Sequence, residues 1–183
     1  MAQYQIAVVV GSLRKDSLNR KFAHAITKLA PPEFSFVHLD ISDLPLYDQD
    51  DDDKQAASVQ RIKAQIAASQ GLLFVTPEYN RSYSGVLKNA IDHASRPSGQ
   101  SAWKGKPGGV LGVSPGAIGT AMAQQHLRNV LSCLNVPLLA QPDAFIQAKE
   151  GLFDDAGNIG ADSVEFLQGW MDSYVAWVKQ NNH

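Results

Sequence analysis

Three short stretches of the chain carry residues whose types and spacing suit an anionic ligand with a flat ring. The first, GSLRKDSLN (11–19), follows the apolar run IAVVV (6–10) and sets Ser12, Ser17 and Asn19 around Arg14. A strand that ends in such a turn and leads into a helix offers unpaired N–H groups and a positive dipole end, which favour an anion. Hydroxyl and amide donors, with the guanidinium fork of Arg14, suit one phosphate dianion. The turn is not G-x-G-x-x-G, which disfavours a dinucleotide pyrophosphate, and not G-x-x-x-x-G-K-[ST], which disfavours a nucleoside triphosphate with magnesium. Lys15, Arg20 and Lys21 read as surface charges.

The second stretch is TPEYNRSYSGVLKNAID (76–92). Pro77 restricts the chain just past a strand, so Glu78, Tyr79 and Asn80 would present backbone N–H groups and side chains to a crevice. Tyr79 and Tyr83 are flat groups able to flank a planar ring. The third stretch, SPGAIGT (114–120), is rich in glycine and hydroxyl groups. Overlapping its start, GVSPG (112–116) matches the G-x-S-x-G nucleophile elbow of hydrolases. That reading fails on chemistry. The residue after Ser114 is Pro115, which has no N–H for an oxyanion hole. No aspartate lies between Ser114 and His126, and the other downstream histidine, His183, is the last residue.

Positioning these loops requires alternating strands and helices, and the apolar periodicity supplies them. Strands are expected at 5–10, 33–40, 71–76, 108–114 and near 137–146. Helices are expected at 17–30, 56–69, 84–94 and 119–134, with a last one opened by a capping box from Asp162 to Glu165. That last helix should turn Val164, Leu167, Met171, Tyr174 and Val178 inward. The pattern predicts an α/β sandwich: a five-stranded parallel sheet with helices on both faces, order 2-1-3-4-5. The loops after strands 1, 3 and 4 then meet at the crevice between strands 1 and 3, and these loops are the three stretches above. The whole of 1–183 reads as a single domain.

Composition narrows the partners. A net charge of −2 over 183 residues argues against a general nucleic-acid binder. No apolar run reaches the roughly 18 residues that span a bilayer, and the opening MAQYQIAVVVGS lacks the basic segment of a secretory signal. A cytoplasmic location is expected. One cysteine, Cys133, allows no internal disulfide and is expected to be a small core residue. DQDDDDK (48–54) reads as a solvated acidic loop. His24, His38, His93 and His126 show no ligand spacing. Trp103, in the polar SGQSAWKGKP (98–107), is a candidate to cover the crevice or meet a partner subunit, simple packing being the plainer reading.

Taken together, GSLRKDSLNRK and PEYNRSYSGVLKNAID resemble the NADPH-dependent FMN reductase family, a branch of the flavodoxin-like fold, and within it the chromate and quinone reductases. The resemblance runs from strand 1 to the helix after strand 4 and weakens past about residue 140. It implies that Ser12, Arg14, Ser17 and Asn19 hold the phosphate of FMN, with Leu18 also in the cofactor site. It implies that Pro77, Glu78, Tyr79 and Asn80 lie beside the isoalloxazine with Tyr83 near, and that Ser114 and Gly116 lie along its pyrimidine side. The implied chemistry is hydride transfer from NADPH or NADH to FMN, then electron transfer to a quinone, flavin, azo compound or chromate, with no catalytic side chain. A homodimer or homotetramer is implied. Arg96 could attract an anionic acceptor but reads first as a surface arginine. The rival reading is a flavodoxin-like electron carrier, which usually shows a strongly acidic docking face.

Overall fold

Runs of β-branched and aliphatic residues form the strands, and the helices between them bury one stripe each. In the computed structural model, which describes residues 4–182, the order is β1 (Tyr4–Val10), α1 (Leu18–Thr27), β2 (Phe34–His38), α2 (Ala57–Ala67), β3 (Gly71–Val75), α3 (Gly85–Ala94), β4 (Gly108–Ser114), α4 (Ala121–Cys133), β5 (Phe145–Gln147) and α5 (Ala161–Gln180). His183 and the first three residues, on which the signal-sequence reading and part of the hydrolase argument rest, lie outside the described residues. All pairings are parallel and the sheet order is β2-β1-β3-β4-β5, as expected from the sequence.

Alternate side chains of each strand feed two cores. Ile6, Val8, Leu73, Val75, Leu111 and Val113 pack under α1 and α5. Ala7, Val9, Leu72, Phe74 and Val110 pack under α2, α3 and α4. A strand covered on both faces is apolar throughout, and β3 is buried at every position. The chain leaves β1 for α1 on one face and leaves β3 for α3 on the other. The carboxyl ends of β1 and β3 therefore diverge, and a crevice opens between them.

Several local expectations are corrected. The fifth strand is only Phe145–Gln147, with an isolated parallel bridge from Leu138 to Gly108. Pro137 and Pro142 have no N–H to give to a ladder, so the strand breaks in two. No capping box opens α5: its N-cap is Gly160, without a side-chain bond, and Asp162 lies within the first turn. Glycine is needed there because a Cβ at 160 would lie 1.8 Å from the Gly151 carbonyl oxygen. Val164, expected to face inward, is exposed. Cys133 is exposed, two residues and about 200° around α4 from buried Leu131. The acidic run forms an exposed 3-10 turn, Gln49–Lys54. Trp103, by contrast, follows its plainer reading: it packs in the core, fully buried against Phe74, its Nε1 donating to the Ile91 carbonyl at 3.0 Å, and does not cover the crevice.

Candidate active site

The turn after β1 is built to leave donors free. Ser17 caps α1, its Oγ accepting from the Arg20 N–H at 3.2 Å. The backbone N–H groups of Ser12, Leu13, Arg14, Leu18 and Asn19 have no hydrogen-bond partner among the described residues. Arg14 makes no ion pair among them either. Four of these donors, those of Ser12, Arg14, Leu18 and Asn19, meet a helix N-terminus and the Arg14 guanidinium at one cavity of about 130 Å³. Ser12, Arg14, Ser17, Leu18 and Asn19 line one side of it, Pro77, Glu78 and Tyr79 a second, and Val113, Ser114 and Pro115 a third.

Two of these side chains hold the walls together. Asn19 is 3% exposed, and its amide clamps Val113 of β4. Nδ2 donates to the Val113 carbonyl at 2.9 Å, and the Val113 N–H donates to Oδ1 at 3.0 Å. The side chain is thus committed to the sheet, and only the backbone N–H of Asn19 faces a ligand. Glu78 is similar. One carboxylate oxygen accepts from the N–H groups of Met122 and Ala123 at 3.1 and 3.2 Å, while the other meets Arg81 at 3.3 Å. The N-cap of α4, Thr120, makes no side-chain cap bond, so Glu78 satisfies that helix end from the neighbouring loop.

The remaining expected residues are distributed around the rim. Tyr79 and Ser82 exchange backbone bonds across a tight turn whose central residues, Asn80 and Arg81, both have positive φ (50° and 65°). Such a turn holds Tyr79 outward, at 52% exposure. Asn80, Tyr83 and Gly116 do not line the cavity. Tyr83 packs on the core beneath α3, and burial pushes its hydroxyl pKa upward. The Ser114 hydroxyl donates to the Gly116 carbonyl at 3.2 Å, and His126 Nδ1 lies 3.1 Å from Ser82 Oγ rather than against Ser114. That geometry does not pair His126 with Ser114. Arg96 lies away from the three loops, lining a groove between α3 and α4.

The second and third loops sit close because glycine permits it. A Cβ at Gly112 would lie 2.1 Å from the Thr76 carbonyl oxygen. Val113 and Pro115 are site residues that sequence reading missed. An apolar strand residue reads only as core, and its role here belongs to its backbone.

Comparison with known proteins agrees with this geometry. Residues 4–150 match the sequence profile described as NADPH-dependent FMN reductase. A 2-hydroxy-1,4-benzoquinone reductase from Burkholderia sp is 55% identical over 176 residues, covering 96% of each chain. A quinone reductase from Pseudomonas putida is 48% identical over 179 residues, covering 97% of this chain and 96% of its own. Among solved structures, the flavoenzyme NAD(P)H:(acceptor) oxidoreductase from Paracoccus denitrificans superposes with a TM-score of 0.94 at 44% identity, over 98% of this chain and 100% of that one. The chain belongs to the NADPH-dependent FMN reductase family: it is an enzyme that uses FMN and draws its electrons from NAD(P)H.

Proposed function

We propose that this enzyme reduces quinones, with the FMN phosphate held by the turn after β1. The observation that carries the cofactor placement is the set of unpartnered N–H groups at Ser12, Arg14, Leu18 and Asn19, on residues that line one cavity together with the Arg14 side chain. Bound FMN supplies the centre that accepts a hydride and passes electrons on. Ser12, Ser17 and Arg14 bind its phosphate. Asn19 and Glu78 keep the three walls in register. In the second and third loops the N–H groups of Glu78, Asn80, Gly116 and Ala117 have no partner among the described residues, which leaves them available to offset negative charge on a reduced ring. No side chain is needed as acid or base. Leu13, Tyr79, Ile118 and Met122 are large apolar side chains left exposed on these loops and at the start of α4, which suits a flat acceptor.

A quinone is preferred over chromate or an azo compound on two grounds: this apolar rim, and the names of the relatives at 55% and 48% identity. The chain works as one unit and self-associates as a dimer or tetramer, which light scattering tests. No helix among the described residues is long and apolar enough to cross a membrane.

The placement is tested by Arg14→Ala. One hydrogen bond to a charged group is worth about 1.5–3 kcal/mol, so the FMN dissociation constant should rise at least about tenfold. Unchanged affinity would remove Arg14 from the site.

A further inference from the structure

A second cavity, of about 370 Å³, lies on the other side of the same turn, between the carboxyl ends of β1 and β2. Ser12 lines both cavities. The second is lined further by Arg20, His24, His38, Asp40 and Ser42, none of which the flavin site uses.

Each of these groups lacks a full set of partners or offers a face. Arg20 forms no ion pair among the described residues, and its Nη2 lies 3.5 Å from the Ser12 carbonyl oxygen, which points the guanidinium at the turn. Asp40 stands two residues beyond β2. One of its oxygens accepts from the N–H and hydroxyl of Ser42 at 2.9 and 2.6 Å; the other has no partner among the described residues. His24 and His38 stack face to face with ring centroids 4.1 Å apart, and His24 is exposed, so the stack can take a further ring on its outer face. Burial and the nearby His24 lower the His38 pKa to about 4, so this ring is neutral at pH 7.

A cation next to a phosphate turn, a free carboxylate oxygen at the end of the second strand and a stacked aromatic pair match the three parts of an adenylate. In dinucleotide-binding α/β folds an acid near this position takes the ribose hydroxyls. The volume falls within the usual range of ligand pockets, about 300–1,000 Å³. We infer that this cavity is an adenylate subsite: Arg20 takes a phosphate, Asp40 the ribose hydroxyls, and the His24–His38 stack the purine. The turn itself still takes only one phosphate, and the second would lie on Arg20. This rests on the placement of the FMN phosphate at Ser12–Asn19. Two molecules carry the chemistry: FAD, whose flavin half would fill the first cavity, and NAD(P)H.

The test uses the full chain with Arg20→Ala and Asp40→Ala, both at exposed positions outside the FMN site. Flavin fluorescence quenching gives dissociation constants for FMN and FAD, and steady-state kinetics of the FMN-loaded enzyme gives KM for NADPH. If FAD is the ligand, wild-type protein binds FAD at least as tightly as FMN. Each substitution then weakens FAD about tenfold and leaves FMN within about twofold. If NADPH is the ligand, its KM rises about tenfold at unchanged kcat while flavin affinities stay put, which also supports the subsite. Intact FMN binding, with both FAD affinity and KM unmoved by either substitution, would overturn the inference and leave the FMN placement standing. Failure of wild-type protein to bind FMN would overturn both.

Discussion

Replacing Asn19 by alanine tests how the site is assembled. The amide closes two hydrogen bonds, at 2.9 and 3.0 Å, to a backbone N–H and C=O that lie 94 residues away in sequence. Truncation leaves both Val113 groups without their partner in a buried setting. Each unsatisfied group costs about 1–3 kcal/mol, so the total is about 2–6 kcal/mol, toward the lower end if water enters. For a chain of this size about 2 kcal/mol lowers Tm by roughly 4–8 °C. Urea unfolding of the flavin-free protein measures the loss directly. Fluorescence titration with FMN should show weaker binding as well, because the N-terminus of α1 loses its fixed distance from β4. Asn19→Asp separates the two bonds: one oxygen still accepts from the Val113 N–H, while the other opposes the Val113 carbonyl, so Asp should not rescue stability. A loss below about 0.5 kcal/mol in Asn19→Ala would refute the clamp, since that is the range of a neutral surface change.

Other perturbations probe the remaining walls. Glu78→Ala removes the acceptor for the N–H groups of Met122 and Ala123, and should cost about 1–2 kcal/mol in urea unfolding, as loss of a helix cap does. Gly112→Ala forces a Cβ to within 2.1 Å of the Thr76 carbonyl oxygen and should yield protein that is insoluble or has lost FMN binding; wild-type behaviour would mean the loops can part freely. His38 has a folded pKa of about 4 against an ordinary value near 6.5. The unfolded chain therefore binds the proton first, and stability is full above about pH 6.5 and falls as pH drops toward 4. His38→Gln should flatten that slope in urea midpoints measured from pH 7.5 to 4.5.

Much of the sheet was legible because strands covered on both faces must be apolar. The runs at 5–10 and 71–76 could be little else, and short crossovers left few orders to choose from. The three loops stood out because they are rich in glycine, hydroxyl and amide groups and each follows an apolar strand run. What escaped was long-range or depended on backbone alone. Nothing near Asn19 shows that its amide is committed to Val113, and nothing in PEYN shows that Glu78 caps a helix more than 40 residues on. Trp103 packs in the core, its plainer reading, but nothing in its polar neighbourhood showed that its indole would find the Ile91 carbonyl. Gly160 starts α5 for a packing reason, contact with Gly151, that a search for capping residues passes over. Prolines at 137 and 142 split a strand whose apolar residues alone looked continuous.

The most direct test of the central claim is an anaerobic absorbance record of the FMN-loaded protein before and after NADPH, followed by a benzoquinone. Rapid bleaching of the flavin band by NADPH and its return on adding the quinone are the expected result. A bound flavin that NADPH leaves oxidised, but that a one-electron donor reduces, would contradict the account and make the protein an electron carrier on the same fold.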